Sequence, residues 1–129
     1  MVKAQSSRSM VDMDASWQKF LLHKVNSFIK WDLVRFFHDN PHTVDTVESI
    51  ATVVGRDAKT IRQELDGLVK AEVLVKKVVS GQSVYRLSND SDTRELIREF
   101  VAACHDREFR MQAINHMMHH HGADDQSRL

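Results

Sequence analysis

Four polar residues lie close together in the middle of the chain, where one helix would present them to solvent. They are Lys59, Thr60, Arg62 and Gln63. Arginine and glutamine carry paired hydrogen-bonding groups that match the paired groups on the edges of guanine and adenine. Lysine and threonine can bond to base edges or to phosphate oxygens. The chemistry open to these residues is therefore hydrogen bonding to a nucleic acid, and the alternative is an ordinary solvated helix face.

Three more cations follow in a segment with strand-like composition: Lys76, Lys77 and Arg86. Residues 56–86 carry seven basic and four acidic side chains, a balance of +3, whereas residues 87–129 carry five basic and eight acidic ones, a balance of −3. The formal net charge of the whole chain is zero, so any attraction to phosphates depends on this uneven distribution. We interpret the three cations as candidate contacts to a phosphate backbone.

The four candidate contact residues belong to a predicted helix over about Ala58 to Ala71, with Asp57 as its N-cap. Four apolar residues form the buried stripe of this helix: Ile61, Leu65, Leu68 and Val69. A shorter helix is predicted before it, opened by Asp45 and Glu48 as a capping box. Its apolar face consists of Val47, Ile50, Ala51 and Val54.

Ala51, Gly55 and Ile61 have the spacing that lets these two helices cross tightly. Ala51 is small where the second helix passes over it, and Gly55 stands at the turn, where a positive φ favours glycine. Ile61 then faces inwards. Another kind of helical hairpin can contain the same spacing by chance, so the interpretation also depends on the flanking segments.

The flanking segments add one helix before the pair and two strands after it. Residues 28–37 have the apolar spacing of an amphipathic helix, which should end near Asn40 because Pro41 disfavours helical geometry at the preceding residue. The β-branched runs at residues 73–79 and 84–87 are joined by a turn at residues 80–83, which predicts a β-hairpin.

In this order and spacing, residues 26–88 resemble the winged helix-turn-helix transcription factors of bacteria and archaea. The resemblance implies a mainly α fold with a small β-hairpin, in which the third helix enters the major groove of DNA and residues 80–83 form the wing tip. We therefore expect a DNA-binding domain at residues 28–88. A module that keeps this fold but binds other proteins is the alternative, because a fold does not fix a function.

Two further helices are expected to flank this domain. The segment at residues 14–27, capped by Asp14 or Ser16, has an apolar stripe of Trp17, Phe20, Leu21 and Val25, which continues to Phe28. Residues 91–121 contain neither proline nor glycine and begin with a capping box of Asp92 and Glu95, which predicts one long helix. Its apolar residues are Leu96, Ile97, Phe100, Val101 and Cys104, then Met111, Ile114, Met117 and Met118.

Terminal helices of this kind form the dimer interface in regulators of the ArsR and MarR types. The resemblance therefore implies a homodimer, with residues 14–27 and 91–121 as dimerisation segments. The alternative is that these helices fold back onto their own chain.

Three histidines, His105, His116 and His119, read H-x10-H-x2-H. They resemble the zinc ligands of ArsR-type metal sensors, which would make the chain a metal-responsive repressor. Ala103 stands where those sensors carry an aspartate, and the pattern begins later after the wing than theirs. The alternative is a histidine-rich helix end that is favoured by the helix dipole, and we expect no metal or other cofactor.

The remaining features point away from catalysis and membranes. We find no glycine-rich phosphate loop, serine nucleophile elbow or paired-carboxylate motif, so we expect a protein that is not an enzyme. The single cysteine, Cys104, is expected to pack rather than react, since a redox switch needs a lowered thiol pKa. Without an apolar run of about 18 residues or a signal-like amino terminus, we expect a cytoplasmic protein whose partners are double-stranded DNA and a second copy, with no membrane association.

Overall fold

The computed structural model describes the backbone of residues 13–128 and the side chains of residues 13–119. In this part the fold is mainly helical with one small antiparallel sheet, as the sequence predicts. The elements are α1 (Ala15–His23), α2 (Phe28–Asp39), β1 (Val44–Thr46), α3 (Val47–Val54), α4 (Ala58–Lys70), β2 (Leu74–Val79), β3 (Gln82–Leu87), α5 (Ser91–Ala103) and α6 (Arg107–Arg128).

The turn between α3 and α4 has the predicted geometry. Gly55 adopts φ 72° and ψ 40°, in the left-handed region, and both its amide and that of Arg56 donate to the Ala51 carbonyl oxygen, at 2.9 and 3.0 Å. Asp57 then caps α4 by accepting a hydrogen bond of 3.1 Å from the Thr60 amide. The glycine therefore ends one helix in a conformation that disfavours residues with a Cβ atom, and the aspartate starts the next.

The start of α3 differs from the prediction. Thr46, and not Asp45, is its N-cap and accepts from the Ser49 amide at 3.3 Å. Asp45 lies in β1 and accepts from the Thr46 amide at 2.9 Å. The predicted capping box of Asp45 and Glu48 is therefore wrong, because strand pairing holds Asp45 outside the helix.

The sheet has the strand order β1-β3-β2, and both pairs are antiparallel. Ser80 and Gly81, with φ of 53° and 81°, form a two-residue turn between β2 and β3. Two positive φ values suit the right-handed twist of a hairpin, so the turn is tighter than the predicted link at residues 80–83. β1, a strand of three residues that pairs Val44 with Arg86, was not predicted from the sequence.

The core lies where α2, α3, α4 and the inner face of the sheet meet. Its fully buried side chains include Leu33 and Phe37 of α2, Ile50 of α3, Ile61, Leu65 and Leu68 of α4, and Tyr85 of β3. The predicted inward faces of α3 and α4 are thus confirmed, except that Val54 and Val69 are only half-buried. This packing holds α4 with its opposite face towards solvent.

The predicted single helix over residues 91–121 is wrong, because the structure divides it in two. Asp90, and not Asp92, caps α5 by accepting from the Thr93 amide at 2.9 Å. The helix ends at Ala103 with Cys104 as its C-cap, and Asp106, just before α6, accepts from the Phe109 amide at 3.0 Å. Arg110 donates to the Cys104 carbonyl oxygen at 2.8 Å. These side chains satisfy backbone groups at both new helix ends, so the break needs neither proline nor glycine.

The break turns α6 back onto α1, which ends at His23 and not at the predicted residue 27. Phe109 consequently lies with its ring centroid 5.4 Å from that of Trp17 and 6.2 Å from that of Phe100. Phe20 closes the cluster, 4.9 Å from Phe100. Aromatic pairs at such separations add to the stability that burial provides.

Much of the apolar surface that the sequence assigned to a dimer is therefore covered within one chain. Phe20, Leu21, Val25, Ile97 and Phe100 are all buried. On α6, however, Met111, Ile114 and Met118 stay exposed. None of the helices in the described part of the chain is both long and apolar enough to cross a membrane.

Candidate nucleic-acid interface

The solvent face of α4 carries the residues that the sequence selected. Lys59, Arg62 and Gln63 are exposed, and Thr60 is half-buried beside its cap, with its hydroxyl 3.4 Å from the Asp57 carboxylate. Ile61 points the other way and is fully buried. The structure therefore brings the four residues together within the first two turns of α4, with Lys59, Arg62 and Gln63 open to solvent.

Arg62 is not unpartnered on this face. Its Nη2 lies 3.6 Å from a carboxylate oxygen of Glu48 on α3, and about half of the Arg62 side chain is exposed. An ion pair this open to water contributes at most about 1 kcal/mol. Lys59, by contrast, forms no ion pair with any residue in the range 13–119. The Arg62 guanidinium can thus leave Glu48 and bind a more highly charged anion at a small cost in free energy.

Lys76 lies on the same side of the sheet as the buried Tyr85, but its side chain is 38 % exposed. The register places it opposite Tyr85, and its Nζ lies 3.3 Å from Oδ1 of Asp66 on α4. The Tyr85 hydroxyl donates to the same oxygen at 2.7 Å, and the Lys76 ammonium lies 5.6 Å from the centroid of the Tyr85 ring. We call these three residues the hairpin anchor, because they join both strands of the hairpin to α4.

Two members of the hairpin anchor, Lys76 and Tyr85, have raised pKa values. The hydrogen bond to Asp66 raises the pKa of Lys76, with a further contribution from Tyr85. Burial is the main cause that raises the pKa of Tyr85, and Asp66 adds to it. Both groups therefore stay protonated at neutral pH, and the Lys76 charge is already balanced by Asp66.

Lys77 and Arg86 lie on the opposite, outer side of the sheet. Their strand partners are Val84 and Val75 respectively, so alternation along each strand places them away from Tyr85. Lys77 is exposed and, like Lys59, has no ion-pair partner in the described range. Arg86 is half-buried and donates to the Leu87 carbonyl oxygen at 3.1 Å. The predicted group of three wing cations is thus divided between two faces.

The residues that attach α4 to α2 were not predicted from the sequence. Glu64 of α4 accepts a hydrogen bond of 2.7 Å from the Ser27 hydroxyl and lies 3.4 Å from Nζ of Lys30. A Cβ atom at Gly67 would lie 2.7 Å from Cε of Lys30, so the glycine leaves room for this side chain. The one local signal for this contact was a glycine, Gly67, inside an otherwise regular helix.

A second ion pair fixes the turn before α4. Arg56 donates to the Asp32 carboxylate of α2 at 2.9 Å. Arg56 lies just before α4 and Glu64 lies in its middle, so α2 contacts α4 and the turn before it at two points. Both contacts bridge residues far apart in the chain, which no local pattern reveals.

The histidines do not assemble a metal site in the described part of the chain. His105 lies in the break between α5 and α6, while His116 and His119 lie on α6. No group of three histidine, cysteine, aspartate or glutamate side chains among residues 13–119 could hold a metal ion. His119 Nδ1 lies 2.9 Å from the Asn115 carbonyl oxygen, one turn earlier. The side chains of His120 and His121 lie outside the described residues.

Cys104 is half-buried at the end of α5. Burial raises the pKa of its thiol to about 11, although Arg35 and Arg110 act in the opposite direction. The thiol is therefore protonated at neutral pH, which is the reverse of what a redox switch requires.

Comparison with known proteins adds no relative: no family model, no curated protein and no solved structure matches the chain. The functional interpretation consequently depends on the geometry of α4 and the hairpin.

Proposed function

We propose that the chain is a DNA-binding transcription regulator in which α3 and α4 act as a helix-turn-helix and β2–β3 as a wing. The observation that carries the proposal is the outward face of α4, where Lys59, Arg62 and Gln63 project from a helix whose other side is buried. A helix of 13 residues with such a face suits the major groove of DNA. The chain would act in the cytoplasm, where DNA is accessible.

The roles of the cations follow from where they lie. Arg62 and Gln63 would bond to base edges, Lys59 and Thr60 to base edges or phosphates, and Lys77 to a phosphate from the wing. Lys76 has a positioning role in the hairpin anchor, since Asp66 already balances its charge. Arg86, which is half-buried, would support the wing more than contact DNA.

Two copies would bind one site. Met111, Ile114 and Met118 are exposed at 58, 38 and 59 %, and their spacing places them in one stripe along α6. We propose that this stripe pairs with its counterpart on a second chain, which would bring two α4 helices to one DNA duplex. Replacing Met111 and Met118 together by lysine should convert a dimer into a monomer in analytical ultracentrifugation. A wild-type chain that is monomeric at micromolar concentration would contradict the dimer.

Binding to mixed-sequence duplex DNA at two salt concentrations tests the proposal. We expect affinity to fall steeply as salt rises, because binding releases counterions from the phosphates. Arg62→Ala should weaken binding to a selected site by about 1 to 3 kcal/mol. Arg98→Ala is the matched control, since Arg98 is an exposed, ion-paired arginine on α5, remote from α4 in the chain. Absence of binding at low salt would contradict the proposal.

A protein-interaction module is the second candidate, and two observations favour it. Three cations near α4 are already paired with carboxylates, in Arg56–Asp32, Arg62–Glu48 and Lys76–Asp66. The outer face of the sheet also exposes Val44 and Val79 by more than half. Absence of DNA binding at low salt would support this second function.

A further inference from the structure

A cleft of about 480 Å³ lies where α2 meets the break between α5 and α6. Its lining includes Trp31, Arg35 and His38 of α2, Val101 of α5, His105 of the break and Arg110 of α6. The volume lies in the range of small-molecule sites. This cleft does not include the DNA-facing residues of α4, and it combines apolar walls with several potential donors.

The charge of the cleft is unbalanced in favour of cations. Neither Arg35 nor Arg110 forms an ion pair with any residue in the range 13–119. Asp39 is the one carboxylate among the described residues of the lining, and it lies 3.0 Å from Nδ1 of His38. Two guanidinium groups are thus left without a negative partner in one cleft.

The position of Arg110 is set by the helix break. Its Nη1 donates to the Cys104 carbonyl oxygen at 2.8 Å, which holds the guanidinium at the cleft and leaves its other N–H groups available. Arg35 approaches from α2 and has no hydrogen-bond partner among the described side chains. Because Cys104 remains a neutral thiol, it supplies no anion to either arginine.

The apolar part of the lining limits what the ligand can be. Trp31 and Val101 are each 8 % exposed and form a wall that suits a hydrocarbon or aromatic group. Guanidinium groups bind phosphate oxygens through paired hydrogen bonds. A phosphate monoester can carry two negative charges, which matches two guanidinium groups better than a single carboxylate does.

We propose that this cleft binds a small phosphate monoester, with the phosphoryl group between Arg35 and Arg110 and its apolar substituent against Trp31 and Val101. The ligand would join α2 to the first turn of α6. The His105 imidazole can donate a further hydrogen bond to a phosphoryl oxygen, whereas Nδ1 of His38 already faces the Asp39 carboxylate.

Such a ligand would also act on α4, a step that rests on the proposed DNA-binding function. The helix that carries Arg35 also carries Asp32 and Lys30, which hold Arg56 and Glu64 of the α4 region. A ligand that favours one placement of α2 therefore favours one placement of α4. Coupling requires only that the ligand binds the two placements with different affinity.

Calorimetric titration of the full chain with phenyl phosphate, at constant ionic strength, tests the cleft. We expect saturable binding that Arg35→Gln weakens roughly tenfold or more, since a charge-assisted bond is lost. Arg98→Gln on the exposed side of α5 is the matched control and should bind like the wild type. Arg110→Gln should act like Arg35→Gln, but the Arg35 variant decides the outcome because Arg35 holds no backbone group.

Three results would overturn the cleft proposal: no saturable binding up to millimolar phenyl phosphate, equal weakening by Arg98→Gln, or benzoate binding as tightly as phenyl phosphate. The coupling is judged separately, by DNA affinity with and without saturating phenyl phosphate. An unchanged DNA affinity would overturn the coupling but not the proposed binding of phenyl phosphate in the cleft. A chain that binds phenyl phosphate but no DNA would overturn the proposed function alone.

Discussion

The hydroxyl of Tyr85 donates a hydrogen bond of 2.7 Å to Oδ1 of Asp66, joining the middle strand of the sheet to α4. Tyr85 is fully buried, so its hydroxyl needs a partner inside the protein. Asp66 is the residue that supplies it, and Lys76 neutralises the same carboxylate from the neighbouring strand. The hairpin is thus attached to α4 by a polar contact at the edge of the apolar core, where the Asp66 and Lys76 side chains remain 44 and 38 % exposed.

Tyr85→Phe keeps the ring and removes this hydrogen bond. We expect the free energy of unfolding to fall by about 1 to 3 kcal/mol, because a bond to a charged acceptor is lost. Chemical denaturation measures the change, and Asp66→Ala and the double variant complete a cycle. The two single effects should not be additive if the residues interact. Additive effects would show that the hydroxyl and the carboxylate act independently.

Gly55→Ala should destabilise the chain by about 1 kcal/mol, because Gly55 has φ 72° and a Cβ atom is unfavourable there. A Cβ atom would meet nothing within 4 Å, so the cost is conformational and not a clash. Gly55→Asn should therefore cost less than Gly55→Ala, since asparagine tolerates this region better. Equal losses for the two variants in thermal unfolding would contradict the conformational explanation.

Lys76 and Lys77 are neighbours in sequence but should respond differently to replacement by alanine. Lys77→Ala should weaken binding to all DNA sequences alike and reduce the salt slope by about one, as expected for one phosphate contact. Lys76→Ala should instead lower stability, because it breaks the hairpin anchor. A sequence-dependent loss for Lys77→Ala would show that the wing reads bases.

Cys104 should react slowly with iodoacetamide. Its thiol pKa is raised to about 11, whereas a free cysteine has a pKa of about 8.5, so at pH 7.4 the rate should be about two orders of magnitude lower than for a small thiol. The rate should continue to rise with pH beyond about pH 9, since the folded form holds its proton more tightly. Protein unfolded in urea is the control. A plateau below about pH 8 would indicate an activated thiolate.

The sequence was informative where a local steric requirement coincides with a local pattern. Ala51, Gly55 and Ile61 predicted the crossing of α3 and α4, since each restricts the backbone or the packing at its own position. Apolar periodicity likewise predicted which face of α4 is exposed. These features depend on residues within one or two turns of one another.

Features that depend on distant partners were not predictable. The division of residues 91–121 into α5 and α6 depends on the packing of Phe109 on Trp17, almost one hundred residues earlier in the chain. The Asp106 and Arg110 contacts at the break are local by comparison. In the same way, Lys76 is an exposed cation as expected, but strand pairing places it beside Asp66, which the local sequence does not reveal. Charge counting alone therefore overstated the cationic surface that is available near α4.

The central claim is that the outer face of α4 contacts DNA, and backbone amide shifts of the 15N-labelled chain test it most directly. On addition of duplex DNA, we predict the largest shift changes at residues 59–63 of α4 and at residues 77–81 of the wing. Amides at residues 95–100 of α5 should change little. Changes confined to α5 and α6, or to the outer face of the sheet around Val44, would contradict the account.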